Sequence, residues 1–346
     1  MRVTEDELHE LVANKLRRAG LSEQDAAGVA DVLVFADARG IHSHGALRVE
    51  YYAERISKGG INTRPDVRFE RTGPSSGVLH ADNGVGHVAA RRAMEEAIRL
   101  ASDSGVAVVG VSRMSHSGAL SYFTEQAAAA GLVGISMCQS DPMVVPYGGA
   151  EVYYGTNPIA FAAPGADGEY LSFDMATTVQ AWGKVLEARE EGEDIPEDWA
   201  VDERGKSTTD PDDVEALLPI AGPKGYGLAM MVDVLSGILL GLPFGKRVSS
   251  MYVEMGKGRD LGQLHIVIDP QRFTDAEAFQ RSVSQTRRDL NAVQPAPGFD
   301  RVLFPGQDKE IVAAEYRERG IELDDDVYDY LRSDVVHRDA YEQDAG

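Results

Sequence analysis

Short apolar stretches and longer amphipathic stretches alternate between residues 76 and 138. The apolar stretches 76–81, 106–111 and 133–138 have the length and composition of buried strands, and the stretches 82–104 and 119–130 between them have the residue spacing of helices. Strands that alternate with helices of this length predict an α/β fold, in which the helices cover a central sheet.

A string of Gly84, Gly86 and Ala89 at the start of the first helix matches the G-x-G-x-x-A pattern of dinucleotide-binding Rossmann folds. Three features argue against that interpretation. The glycines lie several residues beyond the preceding strand, that strand is short and contains the polar residues Ser76 and His80, and the following strand does not end in an acidic residue that would bind a ribose. We therefore expect an α/β fold that is not a Rossmann fold.

Helical regions precede and follow this α/β region. Apolar periodicity and capping residues predict helices at 3–19, 23–38, 46–58 and 307–330. We expect two domains: a helical, substrate-side domain at 1–75, joined by C-terminal helices in 307–346, and an α/β domain at 76–306.

The composition is that of a globular protein without disulfides. The chain has 346 residues, 43% of them hydrophobic, and its single cysteine, Cys138, excludes an internal disulfide or a cysteine-based metal site. Residues 226–244 are the most apolar stretch, but they include Asp233 and several glycines, which favours a buried helix over a membrane span. The N-terminus begins an acidic amphipathic helix rather than a signal peptide, so we expect a cytoplasmic protein that does not bind membranes.

Acidic residues dominate the charge of the chain. There are 56 acidic and 34 basic residues, which gives a net charge of −22, and only 8 of the basic residues are lysines. This balance argues against nucleic-acid binding, which needs a basic face. Acidic residues spread along a chain with few lysines are expected of a halophilic protein, because dense salt screens the mutual repulsion of the charges.

The stretch around Ser43 combines two histidines, a serine and an arginine between glycines. If residues 46–58 form a helix, His44, Arg48 and Tyr52 are spaced four apart and share a face at its N-terminal end. Free N–H groups at that end, together with the planar guanidinium of Arg48, would suit a small carboxylate. The alternative is that Ser43 caps the helix and the charged side chains face water.

Two further residues have settings that suit catalysis or cofactor binding. His116 follows an apolar strand and precedes a helix, among small residues, where an imidazole can act as a general acid–base; the alternative is a histidine that only caps the helix. Lys224 stands between glycines before a long apolar helix and resembles a phosphate-binding residue, although the spacing is not that of a P-loop.

Taken in order, these segments resemble the malate/L-lactate dehydrogenase family over nearly the whole chain. The matching segments are 39–48, 86–94, the region around His116, 155–160, 173–177, 222–228 and 268–270. The resemblance implies an oxidoreductase that transfers a hydride between NAD or NADP and a small 2-hydroxy acid or 2-oxo acid. It also implies a non-Rossmann α/β fold with a mixed central sheet and flanking helices, in which 76–306 binds the cofactor, and a homodimer.

The resemblance further implies roles for single residues. His116 would be the catalytic acid–base. Ser43, His44 and Arg48 would line the substrate and nicotinamide site, with Arg48 as the carboxylate clamp. The cofactor would be bound by Ser140, Asp174, Met175, Ala176 and Lys224.

Some residues near these motifs are expected to have no catalytic role, and others differ in type from the residues that the family usually has. His42 and Tyr52 are expected to support the structure only. Ser115 and Ser117 flank the acid–base where the family usually has Asn and Phe, and Val179–Trp182 replaces the usual basic residue. Substitutions this close to the pocket leave the identity of the 2-hydroxy acid open.

Three other functions stay open at this stage. One is a metal-dependent hydrolase or lyase, because His42, His44 and His116 are the type of side chain that holds zinc. The second is a Rossmann dehydrogenase built on Gly84 and Gly86. The third is a non-catalytic binding protein on the same scaffold.

Overall fold

The computed structural model describes residues 1–341; residues 342–346, the end of the predicted C-terminal region, lie outside the described residues. The described part contains ten α-helices. They are α1 (Glu5–Ala19), α2 (Glu23–Asp37), α3 (Val49–Ser57), α4 (Gly86–Ser104), α5 (Ser121–Ala129), α6 (Trp182–Glu191), α7 (Pro223–Ser236), α8 (Ala276–Asn291), α9 (Gln307–Arg319) and α10 (Asp325–Arg332).

Seven strands form a central sheet in the order β2-β3-β4-β10-β5-β6-β7, and two short pairs, β1 with β11 and β8 with β9, lie outside it. The strands are β1 (Arg2–Val3), β2 (Arg68–Arg71), β3 (Ser76–His80), β4 (Val106–Met114), β5 (Val133–Cys138), β6 (Ile159–Pro164), β7 (Tyr170–Met175), β8 (Ala200–Val201), β9 (Ala216–Leu217), β10 (Leu261–Ile268) and β11 (Ile321–Glu322).

The central sheet is mixed, as predicted. β3 and β4 are parallel, whereas the other neighbouring strands of this sheet are antiparallel. A Rossmann sheet is mostly parallel, so the non-Rossmann prediction is confirmed. Gly86, at the position of a cofactor-binding glycine in that alternative, instead packs against the backbone of Ser115 and His116, where a Cβ would overlap both carbonyl oxygens.

Helices cover the sheet on both faces. α4 and α5 pack on one face and build the largest sheet core, with Leu79, Met94 and Phe123 fully buried between helices and strands. α7 packs on the other face, where Val232 lies against Met137 and Leu264. This burial of alternate strand residues on each face explains why the strands read as apolar in sequence.

A second core joins the two ends of the chain. Leu8, Leu33 and Tyr52, from α1, α2 and α3, pack with Ile321 and Leu331 near the C-terminus, and β1 pairs with β11. The segment between α2 and α3, which carries the candidate substrate residues, contributes Ala46 to this core. The assignment of two domains at 1–75 with 307–346 and at 76–306 stays a prediction.

Most of the apolar stretch at 226–244 lies in α7, which packs on the sheet. Asp233 on this helix accepts hydrogen bonds from Gln139 and from the backbone N–H of Gly245, so its carboxylate is paired within the protein. Within residues 1–341, no helix is long and apolar enough to cross a membrane.

The predicted helix at 46–58 begins later than expected. Two short 3₁₀ turns, His42–His44 and Ala46–Arg48, precede α3, so His44 does not share a helix face with Arg48 and Tyr52. The backbone at this point forms i→i−3 hydrogen bonds, from the Gly45 N–H to the His42 carbonyl and from the Arg48 N–H to the Gly45 carbonyl. The buried carboxylate of Asp37 accepts the Ala46 N–H between them and so attaches this segment to α2.

We expect Phe123→Ala to lower the free energy of unfolding by about 3–5 kcal/mol, because it empties a fully buried site between α5 and the sheet. Phe273→Ala is the matched control, since Phe273 is 72% exposed and its loss should change stability by less than about 0.5 kcal/mol. Urea unfolding of both variants measures the difference. Equal stabilities for the two variants would contradict this description of the core.

Candidate active site

The candidate site residues gather at one edge of the central sheet. β10 is antiparallel to β4 and β5, and β6 is antiparallel to β5 and β7, so β4, β5 and β7 run in the same direction. Their C-terminal ends therefore meet at one edge. His116 follows β4, Ser140 follows β5, and Asp174 and Met175 end β7.

His116 is held from two sides. The Tyr52 hydroxyl lies 2.7 Å from Nδ1 of His116, and the backbone nitrogen of Gly118 lies 3.3 Å from the same atom. On the other side, Ser115 Oγ accepts the N–H of Gly86 at the start of α4. No hydrogen bond to Nε2 of His116 is formed by residues 1–341, so this nitrogen is left for a ligand. Tyr52, expected only to support the structure, therefore contacts the acid–base candidate itself.

Three histidines cluster around this position without a carboxylate partner. The ring of His116 lies 5.8 Å from that of His44 and 6.3 Å from that of His87. Burial, followed by the nearby His44, His87, Arg48 and Arg259, lowers the pKa of His116 well below its usual value. Burial also lowers the pKa of His44 to about 4 and that of His87 to about 3. All three imidazoles are therefore neutral at neutral pH, and His116 is poised to accept a proton.

Ser43, His44 and Arg48 form one hydrogen-bonded unit beside His116. Nε of Arg48 donates to the Ser43 carbonyl at 2.7 Å, and Nη1 donates to the Tyr252 hydroxyl at 3.0 Å. Ser43 Oγ lies 3.0 Å from Nδ1 of His44. Nη2 of Arg48 has no acceptor among the described residues, so it can bind an anionic group. Ser43 does not cap α3, which has no side-chain N-cap.

A second buried arginine, Arg259, lies close enough to influence the pKa of His116. It is 2% exposed and donates to Ser249 Oγ at 2.9 Å, to the Ser249 carbonyl at 2.6 Å and to Asp141 at 3.4 Å. Asp141 also accepts the Met251 N–H. Neither Asp141 nor Arg259 stood out in the sequence. The one available signal was the position of Asp141 directly after Ser140.

Ser140 is fixed by the turn that precedes β6. Its hydroxyl lies 3.0 Å from that of Thr156, and its N–H donates to Asn157 Oδ1 at 3.2 Å. Nδ2 of Asn157 in turn donates to the Ala229 carbonyl on α7. This buried asparagine therefore ties the end of β5 to the helix that begins near Lys224.

Asp174 links the candidate cofactor residues to the catalytic loop. Its Oδ2 accepts the N–H of Ser121 at 2.9 Å, at the start of the helix that follows His116. Burial raises the pKa of Asp174 above its usual value. Met175 and Ala176 are half-buried next to it. Thr177 donates to the Thr156 carbonyl and accepts, through its own carbonyl, the Ile220 N–H just before α7.

The start of α7 has the properties of a phosphate site. Gly222 is its N-cap, with a positive φ of 59°, and no side chain caps the helix. Pro223 has no N–H and the Lys224 N–H donates to the Ala221 carbonyl, so the first turn offers the Gly225 N–H, which has no acceptor among the described residues. Lys224 lies in this first turn and is exposed. An uncapped helix N-terminus with an adjacent ammonium favours the phosphates of a dinucleotide. The types of side chain at Lys224, Ser140 and Asp174 fit the phosphate and hydroxyl groups of a nicotinamide cofactor.

A small cavity of about 190 Å³ opens beside Asp174 and is lined among others by Ser121, Asp174 and Gly306. A larger cleft of about 670 Å³ shares Arg39 and Glu125 with it. Neither is lined by His116 or Arg48. Both depressions are therefore separate from the histidine cluster, and the cluster is identified by its side-chain chemistry rather than by cavity size.

The metal-dependent alternative has no support from the side-chain arrangement. Nδ1 of His42 is 2.8 Å from Asp37 and so is directed away from His44 and His116. Among residues 1–341, no group of three or more His, Cys, Asp or Glu side chains is arranged to hold a metal ion.

Comparison with known proteins gives consistent matches over almost the full length. Residues 3–332 match the model of the malate/L-lactate dehydrogenase family. The sequence is 64% identical to the ureidoglycolate dehydrogenase (NAD(+)) of Escherichia coli strain K12, over 99% of this chain and 98% of that protein. It is 33% identical to the (2R)-3-sulfolactate dehydrogenase (NADP(+)) of Chromohalobacter salexigens, over 96% of this chain and 97% of that protein.

Solved structures of members of the same family match the fold of this chain. The solved structure of sulfolactate dehydrogenase from Methanocaldococcus jannaschii matches with a TM-score of 0.90 and 36% identity, over 96% of both chains. The resemblance drawn from the motifs is thereby confirmed, as are the mixed-sheet fold and the choice of NAD or NADP as cofactor. The chain belongs to the malate/L-lactate dehydrogenase family and is an NAD(P)-dependent 2-hydroxy acid dehydrogenase.

Proposed function

We propose that this enzyme oxidises ureidoglycolate with NAD⁺, using His116 as the acid–base and Arg48 as the carboxylate clamp. The choice of this substrate is supported by the 64% identity, over nearly the full length of both chains, to a protein named ureidoglycolate dehydrogenase (NAD(+)). Ureidoglycolate is a 2-hydroxy acid that carries a neutral ureido group on C2, so it belongs to the substrate class of the family.

The charge balance of the pocket supports a substrate with one negative charge. The guanidinium of Arg259 is already directed at Asp141 and Ser249, whereas Nη2 of Arg48 has no protein acceptor among the described residues. A substrate with one carboxylate and a neutral ureido group needs only the guanidinium of Arg48, whose hydrogen bonds among the described residues go to a carbonyl and a hydroxyl and not to a carboxylate.

The proposed chemistry follows from these positions. Arg48 binds the substrate carboxylate, Ser43 and His44 orient the C2 hydroxyl, and Nε2 of His116 accepts its proton. NAD⁺, when bound, accepts the hydride that leaves C2. For Nε2 to accept this proton, Nδ1 of His116 must carry the ring hydrogen and donate it to the Tyr52 hydroxyl 2.7 Å away, and this bond presents Nε2 to the substrate. Such fixed positions supply a large part of the barrier reduction.

We also propose that Ser140, Asp174, Met175, Ala176 and Lys224 bind the cofactor, with its phosphates at the start of α7. The cavity beside Asp174 would extend this site toward Gly306. The domain at 76–306 would then carry the cofactor, and the domain formed by 1–75 and the C-terminal helices would close over the substrate.

A homodimer, a cytoplasmic location and adaptation to salt complete the proposal. A stripe of exposed apolar side chains on and after α7 supports the dimer. Each of its members is at least 40% exposed: Met230, Val234, Ile238 and Leu239.

The net charge of −22 supports the halophilic assignment, since dilute buffer leaves the repulsion between acidic side chains unscreened. Activity is therefore best measured both in dilute buffer and in concentrated salt.

The substrate and the acid–base are tested together. We expect kcat/KM to be higher for ureidoglycolate with NAD⁺ than for malate, lactate or sulfolactate with NAD⁺. It should also be higher than kcat/KM for any of the four acids with NADP⁺.

His116→Ala should lower kcat by about 10²–10⁴-fold, because the hydroxyl proton loses its acceptor, while NAD⁺ binding stays nearly unchanged. His80→Ala, at a histidine that is 43% exposed on β3, is the control. A loss of kcat below about tenfold for His116→Ala would remove the acid–base assignment.

The clamp is tested at Arg48. Arg48→Leu should raise KM for the 2-hydroxy acid by about tenfold or more and leave KM for NAD⁺ unchanged, because it removes a charged hydrogen bond to the carboxylate alone. Arg99→Leu, at a half-exposed arginine on α4, is the matched control. Steady-state kinetics with each substrate varied separately gives both constants. An unchanged KM and kcat for Arg48→Leu would contradict the clamp.

The pH dependence follows from the lowered pKa of His116. Oxidation needs the neutral imidazole, and a lowered pKa keeps that form present as the pH falls below the ordinary value of about 6.5. We therefore expect kcat/KM for oxidation to stay level on the alkaline side of pH 6.5 and to fall only at lower pH. A pH profile of kcat/KM measures this; a midpoint of the acid limb above pH 7 would be inconsistent with the desolvated cluster.

A further inference from the structure

Asp37 and His42 lie behind the segment that carries Ser43, His44 and Arg48. We propose that they act as positioning residues, in which the Asp37 carboxylate, held by His42, fixes this segment so that Arg48 and His44 face the 2-hydroxy acid. The inference rests on the proposed roles of Arg48 and His44. It adds a function for two residues that do not themselves contact the substrate.

One carboxylate binds both ends of the segment. Asp37 is the last residue of α2 and is 1% exposed. Its Oδ1 lies 2.8 Å from Nδ1 of His42, and its Oδ2 accepts the backbone N–H of Ala46 at 2.7 Å. Ser43 and His44 lie between these two attachment points, so their backbone is restrained at each end.

The middle of the segment is restrained by contact with the same carboxylate. Gly45 packs so closely on Asp37 that a Cβ at this position would overlap all three atoms of the carboxylate group. The backbone therefore has no room to move toward α2. The absence of a side chain at Gly45 is required by this close approach and not by a special backbone angle, since its φ is −97°.

Asp37 and His42 depend on each other electrostatically. Burial raises the pKa of Asp37, while the hydrogen bonds from His42 and Ala46 oppose that rise. The hydrogen bond to Asp37 in turn raises the pKa of His42. A buried carboxylate that loses its partner is strongly disfavoured, so removal of the imidazole is expected to release the carboxylate from its place.

His42 is also restrained from the C-terminal side. Its Nε2 lies 3.4 Å from the hydroxyl of Tyr316 on α9, and Lys309 and Glu322 are the other charged groups that act on it. The imidazole is therefore held between α2 and α9. This arrangement orients Nδ1 toward Asp37 and leaves the ring 43% exposed on its outer side.

The segment transmits any displacement to the substrate pocket. The Ser43 carbonyl accepts the bond from Nε of Arg48, and Ser43 Oγ contacts Nδ1 of His44. A shift of the segment thus moves the clamp and the orienting imidazole together. The candidate cofactor residues, by contrast, are attached to β5, β7 and α7. Loss of the Asp37–His42 pair should therefore raise KM for the 2-hydroxy acid and leave KM for NAD⁺ unchanged.

The test compares two substitutions at His42. His42→Leu removes the donor, whereas His42→Asn keeps an amide nitrogen near the place of Nδ1 and can still donate to Asp37. We expect His42→Leu to raise KM for the 2-hydroxy acid by about 10- to 100-fold, the scale of a misplaced binding group, with KM for NAD⁺ unchanged. His42→Asn should restore most of the loss. Both variants are measured as full-length enzyme with NAD⁺ and the best 2-hydroxy acid of the wild type.

A second histidine–carboxylate pair on α1 and α2 serves as the matched control. His9 is 35% exposed and lies 2.9 Å from Asp31, but the pair does not touch the segment at 42–48. His9→Leu should leave both KM values as in the wild type. If it raises KM for the 2-hydroxy acid as much as His42→Leu does, the effect is a general loss of stability and the inference fails.

The remaining outcomes are also decisive. A wild-type KM in His42→Leu, or a His42→Asn variant as defective as His42→Leu, overturns the positioning role. If His42→Leu does not fold, His42→Asn tests the positioning role by itself. The inference then requires near-wild-type KM values for the 2-hydroxy acid and for NAD⁺ in His42→Asn, and a clearly raised KM for the 2-hydroxy acid overturns it. A wild-type enzyme that oxidises no 2-hydroxy acid overturns the proposed function, whereas an active wild type with an insensitive His42 overturns only this inference.

Discussion

The pairing of β10 with both β4 and β5 is the constraint on which the rest of the site depends. Because β10 is antiparallel to each neighbour, β4 and β5 run in the same direction although no hydrogen bonds join them. Register then brings Met114 opposite Leu261 and Cys138 opposite Gln263. The loops that carry His116 and Ser140 start from these positions. A strand from late in the chain thus determines that two early loops meet.

Desolvation sets the chemistry at this edge. The imidazoles of His44, His87 and His116 lie together without a carboxylate, next to the guanidinium of Arg48, and burial lowers the pKa of each histidine. A neutral base beside a fixed positive charge is the combination that a hydroxy-acid dehydrogenase needs, because the base must take a proton while the substrate carboxylate stays bound. Carboxylates are present nearby, but each is already engaged: Asp141 by Arg259 and Asp37 by His42.

The family motifs made much of the site predictable. Ser43, His44, Arg48 and His116 stand out in sequence as polar residues among glycines or at the end of an apolar strand, and the structure brings them together. The helix that was expected to align them does not reach His44. Two 3₁₀ turns take the place of its first turn, and Ala46 is bound to the carboxylate of Asp37, nine residues away in sequence. Asp141 and Arg259 gave no comparable signal, and the spacing that singled out Tyr52 did not reveal its contact with His116, since these partners are distant in sequence.

The sequence by itself determined the class of fold, most of the helices and sheet strands, and the family, because these follow from local periodicity and from motifs of adjacent residues. It did not show the strand β11 (Ile321–Glu322), which interrupts the helix predicted at 307–330. Only the tertiary structure decided which side chains touch. The contact of Tyr52 with His116, the pairing of Arg259 with Asp141 and the attachment of the segment at 42–46 to Asp37 each join elements separated in the chain. Such contacts depend on strand register and helix packing, which no local pattern encodes.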